Sequence, residues 1–121
     1  WWGKIMYAKK QWLPKVDEDV IMRYDKTKWQ FCVDTELDMW LFLVKEKLLF
    51  DTNEETKRRF VYLAPFSKFY TDFDNRSPGM VGQWLGLKIV ESYMQNNKVS
   101  LQELMANTDH KTIFNKSKYR P

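Results

Sequence analysis

One stretch constrains the fold more than any other: Ser77-Pro-Gly-Met-Val-Gly-Gln-Trp-Leu-Gly-Leu-Lys-Ile-Val-Glu-Ser-Tyr-Met-Gln-Asn96. Val81, Trp84, Leu85, Ile89 and Tyr93 recur mostly at three- and four-residue steps, which gives a helix one apolar stripe. Ser77 is a suitable cap, and Pro78 suits a first helical position because its missing N–H would be unpaired there. The spacing therefore predicts a helix over 78–95. Gly82 and Gly86 lie four apart on one face with no side chain, a surface on which a second helix can pack closely.

The remaining chain supplies what such a helix packs against. Trp29, Val33, Leu37, Leu41, Val44 and Leu48 follow helical spacing, with Asp25 or Thr27 available to cap. Residues 40–44, Trp-Leu-Phe-Leu-Val, are apolar on every face, so burial on several sides is expected there. Residues 1–10 read as a helix with Lys9 and Lys10 at its C-terminus, and Leu13-Pro14 ends it. A short helical link follows from Asp17. Thr52 with Glu55 and Ser100 with Glu103 have capping-box spacing, and Asp109 can cap a last helix. The fold class is all-α, with about five or six helices in a single unit over residues 1–121.

Composition supports a packed chain: 44% of the 121 residues are hydrophobic and 17% aromatic, too many for a disordered segment. The net charge of +4 is mild and mixed in sign. The basic tail Lys111, Lys116, Lys118 and Arg120 can meet phosphate or an acidic partner, but is too sparse for nucleic acid. The longest apolar run, residues 39–44, is far short of the ~20 residues of a membrane span. No signal peptide opens the chain. Trp1-Trp2-Gly3 already lies inside an apolar pattern, as if continuing a segment upstream.

Chemistry-bearing motifs are few. Cys32 is the one cysteine and His110 the one histidine, so neither a thiolate cluster nor a His-Glu-x-x-His pair exists in this segment. Asp72-Phe-Asp74-Asn-Arg76 begins like a calcium loop but places Arg76 and Ser77 where a ligand and a glycine belong. Asp34 and Asp38 share a helix face and read as solvated. The glycines of 79–86 have no strand before them and no Lys-Ser/Thr after them, so they are not a phosphate loop. No catalytic or metal-ligating residue is assigned. Phe66, Lys68, Phe69, Tyr70, Asp74, Arg76 and Trp84 are the binding candidates, because aromatics interleaved with charge make a stacking surface.

Several landmarks resemble the C-terminal part of the gliding-motility lipoprotein B family of Bacteroidota. They are Gly3-Lys-Ile-Met-Tyr7, Leu13-Pro14, Arg59-Phe60, Ala64-Pro-Phe-Ser-Lys-Phe-Tyr70, Ser77-Pro-Gly79, Val81-Gly-Gln-Trp-Leu-Gly86, Ile89-Val90, Ser92-Tyr-Met94 and Phe114-Asn-Lys-Ser-Lys-Tyr-Arg-Pro121. The family more often has Arg at the position of Met80 and Trp at that of Leu87. The resemblance implies a lipoprotein signal and lipidated cysteine upstream, and a lipid-anchored domain in the periplasm of the cell envelope. It implies proteins of the gliding and type IX secretion machinery as partners, and no nucleic acid. It also implies distant similarity to zinc-peptidase domains, of which this chain would form the C-terminal half; any zinc would be held by upstream residues. The leading reading is a non-catalytic envelope lipoprotein that supports gliding and type IX secretion. The alternatives are half of a zinc-metallopeptidase-like domain, active or degenerate, and a glycan- or peptide-binding module built on the Phe66–Phe73 loop.

Overall fold

The computed structural model describes residues 2–48, 60 and 79–121. Among these residues it has six helices and no strand, so the all-α expectation holds. They are α1 (Trp2–Trp12), α2 (Glu18–Ile21), α3 (Lys26–Lys45), α4 (Val81–Asn96), α5 (Leu101–Ala106) and α6 (His110–Ser117).

Local chemistry explains most of the starts. Asp25 caps α3 by accepting from the Lys28 N–H at 2.8 Å. Ser100 accepts from the Glu103 N–H at 3.1 Å and its hydroxyl reaches the Glu103 carboxylate at 3.2 Å, which starts α5. Asp109 accepts from both the backbone N–H and the hydroxyl of Thr112 to start α6. Each bond satisfies an amide that the first helical turn leaves without a partner. Asp17 precedes α2 without a side-chain cap bond. The Thr52–Glu55 pair lies outside the described residues.

The start of α4 departs from the expectation. Gly79 and Met80 form a turn, and the helix begins at Val81 rather than Pro78. Met80 adopts the left-handed region at φ 62°, a conformation that costs a non-glycine residue about 1–2 kcal/mol. Its side chain is buried in the core, and the Tyr24 hydroxyl donates to the Gly79 carbonyl at 2.5 Å, holding the turn. Ser77 and Pro78 lie outside the described residues.

Helix α4 runs through two hydrophobic clusters and so forms the spine. Its first half joins Val81, Trp84, Leu85 and Leu87 to Met6, Ile21, Met22, Tyr24, Cys32, Met39, Leu43 and Phe60. Its second half joins Val90 and Tyr93 to Leu104 and Ile113. Helix α1 crosses α4 at Gly3 and Gly86. A Cβ built on Gly3 would sit 2.3 Å from the Gly86 carbonyl oxygen, and one on Gly86 would meet the Gly3 Cα at 3.2 Å. Beside this crossing the Lys4 ammonium is buried and donates to the Asn107 carbonyl at the end of α5. Gly82, on the same face of α4, is half-buried.

Helix α3 corrects a second expectation. Only Leu43 of the 40–44 run is fully buried, Trp40 and Phe42 are half-buried, and Leu41 and Val44 are exposed. The helix lies on the molecule with one face inward, and its apolar surplus faces out. It also bends at Thr35 (φ −112°, ψ 15°), where the hydroxyl donates to the Phe31 carbonyl at 2.7 Å and loosens the helical ladder.

The glycine crossing is unequal, and this is measurable. Gly3→Ala is expected to lower the unfolding free energy by about 1–3 kcal/mol, because backbone has to move. Gly86→Ala should change it by less than about 1 kcal/mol, since the mild clash is offset by better helix propensity. Urea unfolding followed by circular dichroism checks both; equal effects would disprove the asymmetry.

Candidate functional site

The densest group of polar chemistry centres on Glu18, the first residue of α2. Its side chain is 10% exposed and accepts from four donors. Oε1 takes the ammonium groups of Lys88 at 2.6 Å and Lys10 at 3.0 Å. Oε2 takes the indole N–H of Trp29 at 2.7 Å and of Trp84 at 3.2 Å. Lys10 also pairs with Glu91 at 2.9 Å, and the Lys88 ammonium stands 5.2 Å from the Trp84 ring centroid. Trp84, Lys88 and Glu91 share one face of α4 because they are spaced four and three apart. Lys10 comes from the last turn of α1 and Trp29 from the first turns of α3. One carboxylate therefore ties four helices together.

Burial alone would push the Glu18 carboxyl up. The bonds and charges from Lys88, Trp29 and Lys10 outweigh burial and hold it down to about 2. Burial likewise pulls the Lys10 ammonium down, but Glu91 and Glu18 reverse this and the net shift is upward. Both shifts favour the charged forms of Glu18 and Lys10, so the pair acts as a clamp. On its outer side Lys10 and Glu91 line a groove of about 270 Å³ between α1 and α4, with Tyr7, Gln11, Met94 and Gln95. Cys32 is fully buried, and burial pushes its thiol up to about 12, leaving no nucleophile there. Among the described residues no His, Cys, Asp or Glu set is grouped to hold a metal.

A second feature closes the C-terminal end. The Ser117 carbonyl accepts from Ser92 Oγ at 2.6 Å and Asn96 Nδ2 at 3.1 Å, and the Lys116 carbonyl from Asn97 Nδ2 at 3.0 Å. The Tyr119 hydroxyl donates to Glu36 on α3 at 2.5 Å, and its ring meets Trp40 edge-on, centroids 5.0 Å apart. These bonds strap the tail across α4 and α3. Beside the strap is a groove of about 400 Å³ lined by Trp40, Val44, Phe114, Asn115, Lys118, Tyr119 and Arg120. Its floor is aromatic, its rim is cationic, and no Asp or Glu is among the described residues that line it. Such a groove can receive an apolar anchor carried next to an acidic group.

The sequence-based candidates fare unevenly. Phe66, Lys68, Phe69, Tyr70, Asp74 and Arg76 lie outside the described residues. Trp84 is a correction: it is fully buried with its N–H committed to Glu18, so it offers no binding surface. The basic tail is partly absorbed, since Lys118 and Arg120 rim the C-terminal groove. Glu18, Lys10, Lys88, Glu91 and Trp29 were not singled out. No local signal in the sequence marks them, because Glu18 and the residues that answer it come from four separate helices.

The clamp predicts a specific acid response. A carboxyl whose folded value lies below its ordinary 4.5 contributes stability above 4.5 and loses it as pH falls toward 2. Glu18→Gln strands two half-buried ammonium groups and is expected to cost on the order of 3 kcal/mol at neutral pH. The difference from the unsubstituted chain should shrink steadily below pH 4.5 in urea titrations. A gap independent of pH would mean that the charge on Glu18 does not hold the helices.

No helix among the described residues is long and apolar enough to cross a membrane. The chain matches no curated protein and no solved structure. The model of a lipoprotein family, described as gliding motility protein GldB, matches all of residues 1–121. The landmarks on which that likeness rests here have structural duties: Gly3 and Gly86 make the helix crossing, Trp84 feeds the clamp, and Ser117 to Tyr119 form the strap. The chain belongs to the gliding motility protein GldB family, a family of gliding-motility lipoproteins.

Proposed function

We propose that this chain is the non-catalytic body of a lipid-anchored envelope protein, facing the periplasm, that supports gliding through the type IX secretion apparatus. The observation that carries the reading is the family match across all of residues 1–121. The interior supports it. The carboxylates of Glu18 and Glu91 and the ammonium groups of Lys10 and Lys88 neutralise one another, and burial holds the cysteine in its protonated form. That arrangement serves rigidity rather than proton transfer.

The working surface in this reading is the groove of Trp40, Phe114, Tyr119, Lys118 and Arg120. It takes an acidic, apolar-anchored segment of an envelope partner. Support comes from its charge: two exposed cations beside the half-buried rings of Trp40 and Phe114 and the buried ring of Tyr119, with no acidic side chain among the described lining residues.

The test is complementation in a gliding bacterium depleted of its own family member. The unsubstituted gene should restore both colony spreading and the export of type IX cargo to the medium. Lys118→Glu with Arg120→Glu should lower both at least about fivefold at equal protein level, because like charge at a contact rim costs binding. Restored spreading with unchanged cargo export would refute the secretion link. Full function of the double variant would refute the groove.

A further inference from the structure

Residues 11–15, Gln-Trp-Leu-Pro-Lys, are exposed without interruption where α1 ends. A helix end lying against the molecule buries some of any four successive side chains, so this end projects as a knob. At its tip Trp12 is 71% exposed, the most exposed large hydrophobic side chain among the described residues, and Leu13 is 49% exposed. The knob is held rigidly. Lys10, in the same turn of helix, is bound to Glu18 and Glu91. The Leu13 N–H donates to the Lys9 carbonyl at 2.9 Å, and the Leu13 carbonyl accepts from the Val16 N–H at 3.0 Å. Pro14 has no N–H to satisfy. The Leu13 backbone is therefore paired in both directions, the condition for entering a medium poorer in water. Exposed Lys9 and Lys15 flank the tip on either side. Val16 turns back onto the core, and exposed Asp17 lies beyond it.

We propose that this knob is a membrane contact: Trp12 and Leu13 enter the headgroup layer of a bilayer, and Lys9 and Lys15 stay among anionic headgroups. An indole beside an apolar side chain, edged with cations, is the composition that settles at a bilayer interface. The charge of residues 9–15 is positive throughout, which complements anionic lipid. The shape is convex, and a fluid interface receives it without a matching cavity. The chain also belongs to a family of lipoproteins, so a bilayer is the surface beside which it is held. That membership supports the contact independently of the secretion link.

Two apolar side chains and two cations bind weakly from free solution. A lipid tether raises the local lipid concentration, and under that condition a weak contact persists. With the tether as one point and the knob as another, the domain takes one orientation to the bilayer.

Flotation of the full chain with phospholipid vesicles tests the contact. Binding is expected to phosphatidylcholine vesicles that contain phosphatidylglycerol, and at least about fivefold weaker binding to phosphatidylcholine alone. Trp12→Ser with Leu13→Ser should weaken binding at least about tenfold and leave thermal unfolding unchanged, because both side chains are exposed. Lys9→Glu with Lys15→Glu should remove the preference for phosphatidylglycerol. Vesicles with brominated acyl chains should quench the indole emission of the bound chain, and most of that quenching should disappear in Trp12→Phe, which still binds. No flotation with either vesicle would overturn the proposal, as would undiminished binding of the Trp12→Ser, Leu13→Ser variant or full quenching in Trp12→Phe. A marked loss of thermal stability in the serine variant would also overturn it, by showing that the knob packs against its own chain. Complementation of gliding is read separately, so failure of the contact is distinguishable from failure of the functional reading.

Discussion

The Glu18 carboxylate is the constraint on which the rest depends. A charge removed from water is tolerated only if every lone pair is answered, and here two ammonium groups and two indoles answer it. Satisfying it requires α1, α2, α3 and α4 to arrive at one point. A hydrophobic contact can slide and still be favourable, but this contact is right in one arrangement only. The clamp therefore sets the register of the helices, and the two apolar clusters supply the driving force.

The other fixed points follow from the clamp. With Lys10 held to α4, helix α1 lies along it, and the crossing falls where Gly3 meets Gly86. The backbones approach so closely that Lys4 is carried inside, and the Asn107 carbonyl receives its ammonium. The tail then wraps the far end of α4. Among the described residues the surface left over includes an aromatic groove with a cationic rim and the exposed apolar side chains of α3.

What the sequence disclosed and what it concealed divide by distance along the chain. The caps at Asp25, Ser100 and Asp109 were readable because each bond closes within three residues. The all-α class was readable for the same reason, since helical periodicity is local. Glu18 was not, because its partners lie 8, 11, 66 and 70 residues away. Trp84 was misplaced because an indole suits a binding surface and a core equally; only its partner Glu18 decides between them. Residues 40–44 were misjudged because a run without polar residues does not say how many neighbours the helix has. The start of α4 shifted from Pro78 to Val81 because a left-handed Met80, stabilised by distant Tyr24, overrode local preference. The binding candidates of residues 66–76 stand apart from this comparison, since they lie outside the described residues.

The C-terminal strap bears on biogenesis. Tyr119 bonds Glu36 across 83 residues, and Ser92, Asn96 and Asn97 find their acceptors only at Lys116 and Ser117. The domain cannot close until the chain has emerged through residue 119. Contacts of such long range form late and slowly. A fold whose bonds join Glu36 to Tyr119 closes only after that long stretch of chain has been brought together, and the entropy of closing it is spent before the contact returns anything.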